Sequence, residues 1–352
     1  MNSSMRVGSF YAGWSFLVIT FLVSILCCLL LAPKTLAHAP LTPGDNESLA
    51  TATIISDPTK SWAVYGELHE GGEAQYYSFN ITQGERIYVM LFKSTDIQDK
   101  EFVPGFVLMG PSINNQGDVP DYVEAPTEAD TLVVEGKQPA QATYEPFSPS
   151  SFYLMADLSL DAPRSGTFYV AVYEPLQGGH YGLAIGERES YTISEWILIP
   201  LNLVGVHQWE GQSLALIFAP IIVILALGLG LIFWRLRNRE VPQTLLHWTG
   251  TIAGLLFIGT GAMSFFQMIL ALTHAPLVPE IGVTFMLALI PVLLGIGVLR
   301  LVLRSGDQVN IRKRAYLAIL GLLALIAWAG LIVGPALALV ASVLPTRTES
   351  SP

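Results

Sequence analysis

The chain is poor in two things that proteins of its size commonly use, cysteine and charge. Only two cysteines occur in 352 residues, Cys27 and Cys28, side by side in a hydrophobic stretch near the N-terminus. Everything after them lacks thiols, so neither disulfides nor thiolate zinc sites are available to it. Charged residues make up 13% against 52% apolar, about half the share expected of a water-soluble globule. Enzyme signatures are missing too: there is no Gly-x-Ser-x-Gly elbow, no His-Glu-x-x-His and no phosphate loop. His69-Glu70-Gly71-Gly72-Glu73 lacks the second histidine of a zinc helix and has two helix-breaking glycines, so it reads as a hairpin turn.

The charge that is present is unevenly placed. Residues 1–39 hold two basic and no acidic residues, 40–195 hold 7 basic and 23 acidic, and 196–352 hold 9 basic and 5 acidic. The pI near 5.0 therefore belongs to the middle region, whose charge repels phosphates and argues against nucleic acid as a partner. Ahead of it, 27 uncharged residues lie between Arg6 and Lys34. They read as a secretory signal peptide, residues 1–37, or as an uncleaved anchor if processing fails. Cleavage after Ala37 is preferred to cleavage after Ala39, because Pro40 fits an extended protease register poorly. It leaves His38 as the new N-terminus. A lipoprotein signal fits poorly, since Leu26 and Cys27 stand where a small residue is expected.

Residues 38–190 alternate in short runs: Tyr76–Phe79, Arg86–Phe92, Phe106–Met109, Thr131–Val134, Phe152–Met155, Thr167–Tyr173 and Tyr181–Ile185. Turn residues punctuate them at Gly71-Gly72, Gly84, Gly110-Pro111, Ser165-Gly166 and Gly178-Gly179. Period-two runs at this spacing predict an antiparallel β-sandwich or barrel. The acidic stretch 117–130 and the Pro-rich Lys137–Ser150 read as a long inserted loop, solvated by default or a partner surface.

Four segments carry a resemblance: Asn46–Thr53 (NESLATAT), Gly66–Leu91, Phe106–Pro111 and Ser165–Gly186 (SGTFYVAVYEPLQGGHYGLAIG). Together they resemble the bacterial pre-peptidase C-terminal domain, over about 40% of the chain. The resemblance implies a jelly-roll-like sandwich that binds or stabilises without catalysis, sometimes with calcium on acidic residues. Asp45, Asn46, Glu47 and Glu73 are the calcium candidates it implies. Glu73-Ala74-Gln75 replaces the family's Asp-x-Asp, which leaves one carboxylate where two are wanted for a cation needing six to eight oxygens.

After Glu195 the composition becomes that of a membrane protein. Gln212–Trp234 has no charge and is about 35 Å long as a helix. Three further spans fit residues 245–272, 281–303 and 316–343, so an all-α four-helix transmembrane bundle is expected. Arg235, Arg237 and Arg239 follow the first span, and Arg304, Arg312, Lys313 and Arg314 lie between the last two. The positive-inside rule puts these loops in the cytoplasm, with the β-domain and the tail 344–352 outside the plasma membrane. Residues 191–211, with Trp196 and Trp209, are expected to lie in the outer interface. The spans lack mid-depth charge pairs, which argues against a transporter, and Gly250-x-x-x-Gly254 favours close helix packing.

The leading expectation is a multi-domain membrane protein acting as a noncatalytic binding or scaffold module, with the bilayer and a protein at the outer surface as partners. Copper handling is the second reading. The amine and imidazole of an N-terminal His38, joined by His69 or His180, form a nitrogen set suited to Cu(II). A small-solute transporter or membrane enzyme is the third.

Overall fold

A computed structural model describes residues 38–41, 43–95, 100–237, 244–303 and 310–345. The signal peptide, both cysteines, Arg239, Arg304 and the tail beyond 345 lie outside the described residues.

Among the described residues, eleven strands precede six α-helices. The strands are β1 (Ala39–Leu41), β2 (Thr53–Ile54), β3 (Trp62–Leu68), β4 (Glu73–Ile81), β5 (Arg86–Ser94), β6 (Gly105–Gly110), β7 (Asp130–Val134), β8 (Thr143–Glu145), β9 (Ser150–Asp161), β10 (Gly166–Glu174) and β11 (Gly179–Ile185). They form a six-stranded sheet, order β1-β3-β11-β5-β9-β8, and a five-stranded sheet, order β2-β4-β10-β6-β7. All seven runs of alternating residues lie within strands.

The sheets share one core. Val64, Val89, Leu91, Leu183 and Ile185 from the first meet Phe79, Phe106, Leu108, Phe168 and Val170 from the second. Through this core runs a polar relay. The Tyr77 and Tyr181 hydroxyls lie 2.6 Å apart, Tyr181 donates to Gln75 Oε1 at 2.6 Å, and the Gln75 amide donates to the Glu67 carbonyl at 2.7 Å. Burial pushes the Tyr181 hydroxyl well above its ordinary range, so it stays a donor.

The turn at His69–Gly72 is not a hairpin. β3 and β4 belong to different sheets, so these residues form an arch between the layers, with Gly72 at φ 82° and Gly71 against the Leu176 backbone. Hydropathy alternation finds a turn but does not say which strands it joins. The acidic loop is not solvated along its length either. Val119, Tyr122 and Val123 cover the outer face of the five-stranded sheet beside Tyr76 and Tyr173, and the Glu124 N–H donates to Tyr76 Oη at 2.7 Å.

The helices are α1 (Ile193–Trp209), α2 (Leu214–Leu236), α3 (Leu245–Ala271), α4 (Ile281–Leu303), α5 (Ile311–Ile326) and α6 (Val333–Val343). Among the described residues, α2, α3 and α4 are long and apolar enough to cross a membrane. α3 and α4 meet along small residues: a Cβ on Gly295 would lie 2.5 Å from the Gly254 carbonyl, and one on Gly250 would strike Val302.

The expected fourth span, 316–343, is instead two helices. Residues 327–332 leave the helix, with Trp328, Gly330 and Leu331 at φ 56°, 74° and 56°. Gly330 donates its N–H to Thr260 Oγ1 at 2.9 Å and packs on Phe257. Pro335, lacking an N–H, sits in the first turn of α6, where that loss is tolerated. Arg314 Nη1 donates to the Ser342 carbonyl at 3.0 Å, so α5 and α6 run back along each other. Chain leaving α6 therefore starts at the Arg314 end of the helical part, and the opposite exit expected for the tail does not follow.

Replacing Tyr181 by Phe leaves the Gln75 side-chain carbonyl without its donor in the core and takes one of two partners, Tyr181 but not Asn46, from the Tyr77 hydroxyl. A loss of about 1–3 kcal/mol in sandwich unfolding free energy is expected; an unchanged denaturation midpoint would contradict the relay's role.

Candidate functional site at the sandwich–helix junction

The six-stranded sheet is apolar on both faces. In β5, Ile87, Val89 and Leu91 point into the core, while Met90 and Phe92 point outward and are buried all the same, at 6% and 5% exposure. Phe152 and Leu154 of β9 and Tyr65 of β3 join them, and Trp209 of α1 seals the patch. Its ring lies 5.1 Å from Tyr65 and 5.9 Å from Phe92, and its Nε1 donates to the Gly66 carbonyl at 3.2 Å.

α1 is a continuous helix, begun by a capping box between Thr192 and Glu195. Trp196, Ile199, Leu203, Val206 and Trp209 recur at three- and four-residue steps, so they share the face turned toward the sheet. The ends of the helix are fastened. Near its start, Glu195 pairs with Lys60 at 2.7 Å, and the Trp196 and Trp328 indoles lie 4.6 Å apart, each donating to a backbone carbonyl beside the other. The Pro-rich 137–150 segment makes a second attachment. Tyr144 Oη is 2.7 Å from Thr284 Oγ1, which itself donates to the Pro146 carbonyl at 2.7 Å. The stretch read as part of an inserted loop thus docks the sandwich on α4.

Between these attachments the sheet and α1 do not close. A partly enclosed cavity of about 780 Å³ remains, within the roughly 300–1,000 Å³ range of small-molecule sites. Its roof is Tyr65, Met90, Phe92, Phe152 and Leu154, and its floor is the inner face of α1. Residues 142–148, 276–280 and Trp328 complete the wall. The lining is mainly apolar. Among the described residues its acidic and basic groups are Glu145, Glu189, Glu210, Glu280 and His38, with no lysine or arginine.

Two of these groups are displaced from their ordinary ionisation. Burial raises the Glu145 carboxyl to about 7, opposed by the Phe147 N–H it accepts at 3.0 Å and reinforced by the Glu189 carboxylate. Burial holds His38 down to about 4, with its Nδ1 2.6 Å from Ser61 Oγ. Glu210 accepts from His207 Nδ1 at 2.8 Å.

The residues proposed from sequence fall in three places. His38 is at the start of β3 beside Ser61, whereas His180 pairs with Glu67 at the far end of that strand and His69 lies just beyond. Six strand residues separate the two ends, about 20 Å, so the three histidines do not form one copper site. Glu47, His69 and Glu73 do come together, with donor atoms within 4.8 Å of one another. The Glu73 carboxylate is already engaged, accepting the His69 and Glu70 N–H groups at 2.5 and 3.3 Å and the Gln75 amide at 3.2 Å, which accounts for it as the cap of the arch. Asp45 is exposed. Asn46 is buried, with its backbone carbonyl accepting from Tyr76 N–H at 2.8 Å and its amide donating to the Tyr76 carbonyl at 3.4 Å. Sequence reading did not single out Glu145; the signal was the unbroken apolar run Ile87–Phe92, which marks a strand covered on both faces.

No protein-family profile matches the chain, and no curated protein matches it. Among solved structures, a likeness is found to the mercury-soaked secreted protein MopE of Methylococcus capsulatus, whose description concerns copper binding aided by an oxidised tryptophan. Identity is 16%, the match covers 34% of this chain and 60% of that one, and the TM-score of 0.09 is too low to bear on fold or function.

Because Glu145 holds its proton more tightly when folded, its contribution to stability is full below pH 4.5 and is lost as pH rises through about 7. His38, held low, has the opposite sign: its contribution is present above 6.5 and is lost as pH falls toward 4. The two partly cancel in the parent protein. The difference between parent and Glu145→Gln isolates the carboxyl. The substitution should gain on the parent by on the order of 2 kcal/mol between pH 5 and 8 in thermal unfolding; parallel profiles would contradict the raised ionisation of Glu145.

Proposed function

We propose that the chain is a membrane-anchored, noncatalytic binding protein whose ligand occupies the cavity between sandwich and helices. The observation that carries this is the unfilled space itself. Two surfaces fastened at several points and lined by aromatic and aliphatic groups leave about 780 Å³ between them, although ordinary interiors pack with few voids larger than a water molecule.

In this reading the sandwich is a module of the pre-peptidase C-terminal type held outside the plasma membrane. α2, α3 and α4 cross the bilayer, and Arg235 and Arg237 with Arg312, Lys313 and Arg314 mark the cytoplasmic side. At about 24 and 16 Å, α5 and α6 are each shorter than the roughly 30 Å hydrocarbon core. They form a hairpin that enters from the cytoplasmic side and returns there, so α6 ends on the cytoplasmic side. The mouth of the cavity then lies level with the outer leaflet.

Protein extracted from native membranes in mild detergent should carry a small molecule at near one per chain, seen by native mass spectrometry. Leu203→Trp, which puts an indole into the cavity from α1, should lower that occupancy about tenfold or more. Empty parent protein, or equal occupancy in the variant, would overturn the proposal.

A further inference from the structure

The inference concerns which molecule fits the cavity, and it rests on the binding reading above. A second, smaller groove adjoins the cavity. It is lined by Thr192, Ile193, Ile197, Leu325 and Ile326 and shares Tyr191 and Trp196 with the cavity. Ile193 and Ile326 are 82% and 61% exposed, on a helix surface that faces hydrocarbon when the chain is in a bilayer. An apolar path thus leads from the lipid-facing side of α5, past the Tyr191–Trp196–Trp328 rings, into the space under the sheet. The ring centroids are 6.0 and 4.6 Å apart along that row.

The charges lining the cavity are of one sign. Glu145, Glu189, Glu210 and Glu280 line a mainly apolar space, and among the described residues the only basic side chain in the lining is His38, held neutral by burial at ordinary pH. A carboxylate- or phosphate-only head placed there meets like charge in a medium of low dielectric. An ammonium head finds acceptors and neutralises them through charge-assisted hydrogen bonds. A soluble polar cation does not need the aromatic roof or the groove; an apolar chain does. A chain of protein does not suit either, since the space is that of a small molecule.

We propose that the cavity binds an amphiphile with an amine head and an apolar chain, drawn sideways from the outer leaflet past Trp196, with its head among the four carboxylates. Glu145 in particular gains a counter-charge that the described residues do not place in the lining.

The test uses full-length protein in phosphatidylcholine vesicles carrying equal small fractions of hexadecylamine, hexadecanol and hexadecanoic acid, whose chains match in length and whose heads differ. Native mass spectrometry of the released protein reads what is retained. The amine should exceed the acid by about tenfold or more, with the alcohol between them. Glu145→Gln should cut the amine's advantage several-fold while leaving the alcohol unchanged, and Glu189→Gln gives a second reading should the first variant fold poorly. Leu203→Trp should lower all three. Equal retention of amine and acid, or preference for the acid, would overturn the amine head and leave the cavity reading standing. A water-soluble molecule retained from native membranes with none of the three probes bound would overturn the lipid inference alone. No retained molecule of any kind would overturn both.

Discussion

A sheet that is apolar on both faces cannot present either of them to water, and the arrangement of this protein follows from that constraint. One face of the six-stranded sheet is buried against its partner sheet. The other carries Tyr65, Met90, Phe92, Phe152 and Leu154 and needs a cover that the sandwich itself does not supply. At about 25 cal/mol per Å², exposing several aromatic and aliphatic side chains costs many kcal/mol, enough to hold a helix down. α1 is that cover, and Trp209, with ring contacts to one face and a hydrogen bond to the Gly66 carbonyl, fixes it in register.

The polar contacts at the junction are few and placed at its edges. Lys60 with Glu195, Trp196 with Trp328, and Tyr144 with Thr284 tie the sandwich or α1 to neighbouring elements. A partly exposed ion pair contributes little energy, but three ties at different corners fix orientation. With the corners fixed and the middle apolar, the sheet and α1 meet at the Trp209 end and leave unfilled volume between them elsewhere. The small residues between α3 and α4 do the corresponding work in the helical part, where Gly254 and Gly295 let two backbones approach closely.

Much of the fold was legible in the residues because it depends on periods. The alternation in Thr167–Tyr173 and Tyr181–Ile185 marks strands β10 and β11, and the charge-free length of Gln212–Trp234 marks α2. What was not legible depends on where the chain goes afterwards. A hydropathy window across 316–343 adds apolar residues without noticing that Ala327–Ile332 turns, because the turn is set by a contact between Gly330 and Thr260 far away in sequence. The arch at His69–Gly72 looked like a hairpin for a similar reason. At the site the difficulty was charge: Glu145 sits in a Pro-rich stretch that reads as solvated, and only the docking of Tyr144 on Thr284 reveals that it lies half-buried against the helices. The histidines show the converse. His38, His69 and His180 share a chemistry suited to copper, but strand β3 holds the first about 20 Å from the others.

The central claim is that the covered sheet face and α1 enclose a ligand together. Hydrogen–deuterium exchange on the full chain in nanodiscs, stripped of native small molecules and then resupplied with the native extract, addresses it most directly. Residues 88–92, 152–154 and 199–209 should become protected together on resupply, while β4 and β10 in the far sheet stay unchanged. Exchange that is the same with and without the extract, or that changes equally in both sheets, would contradict it.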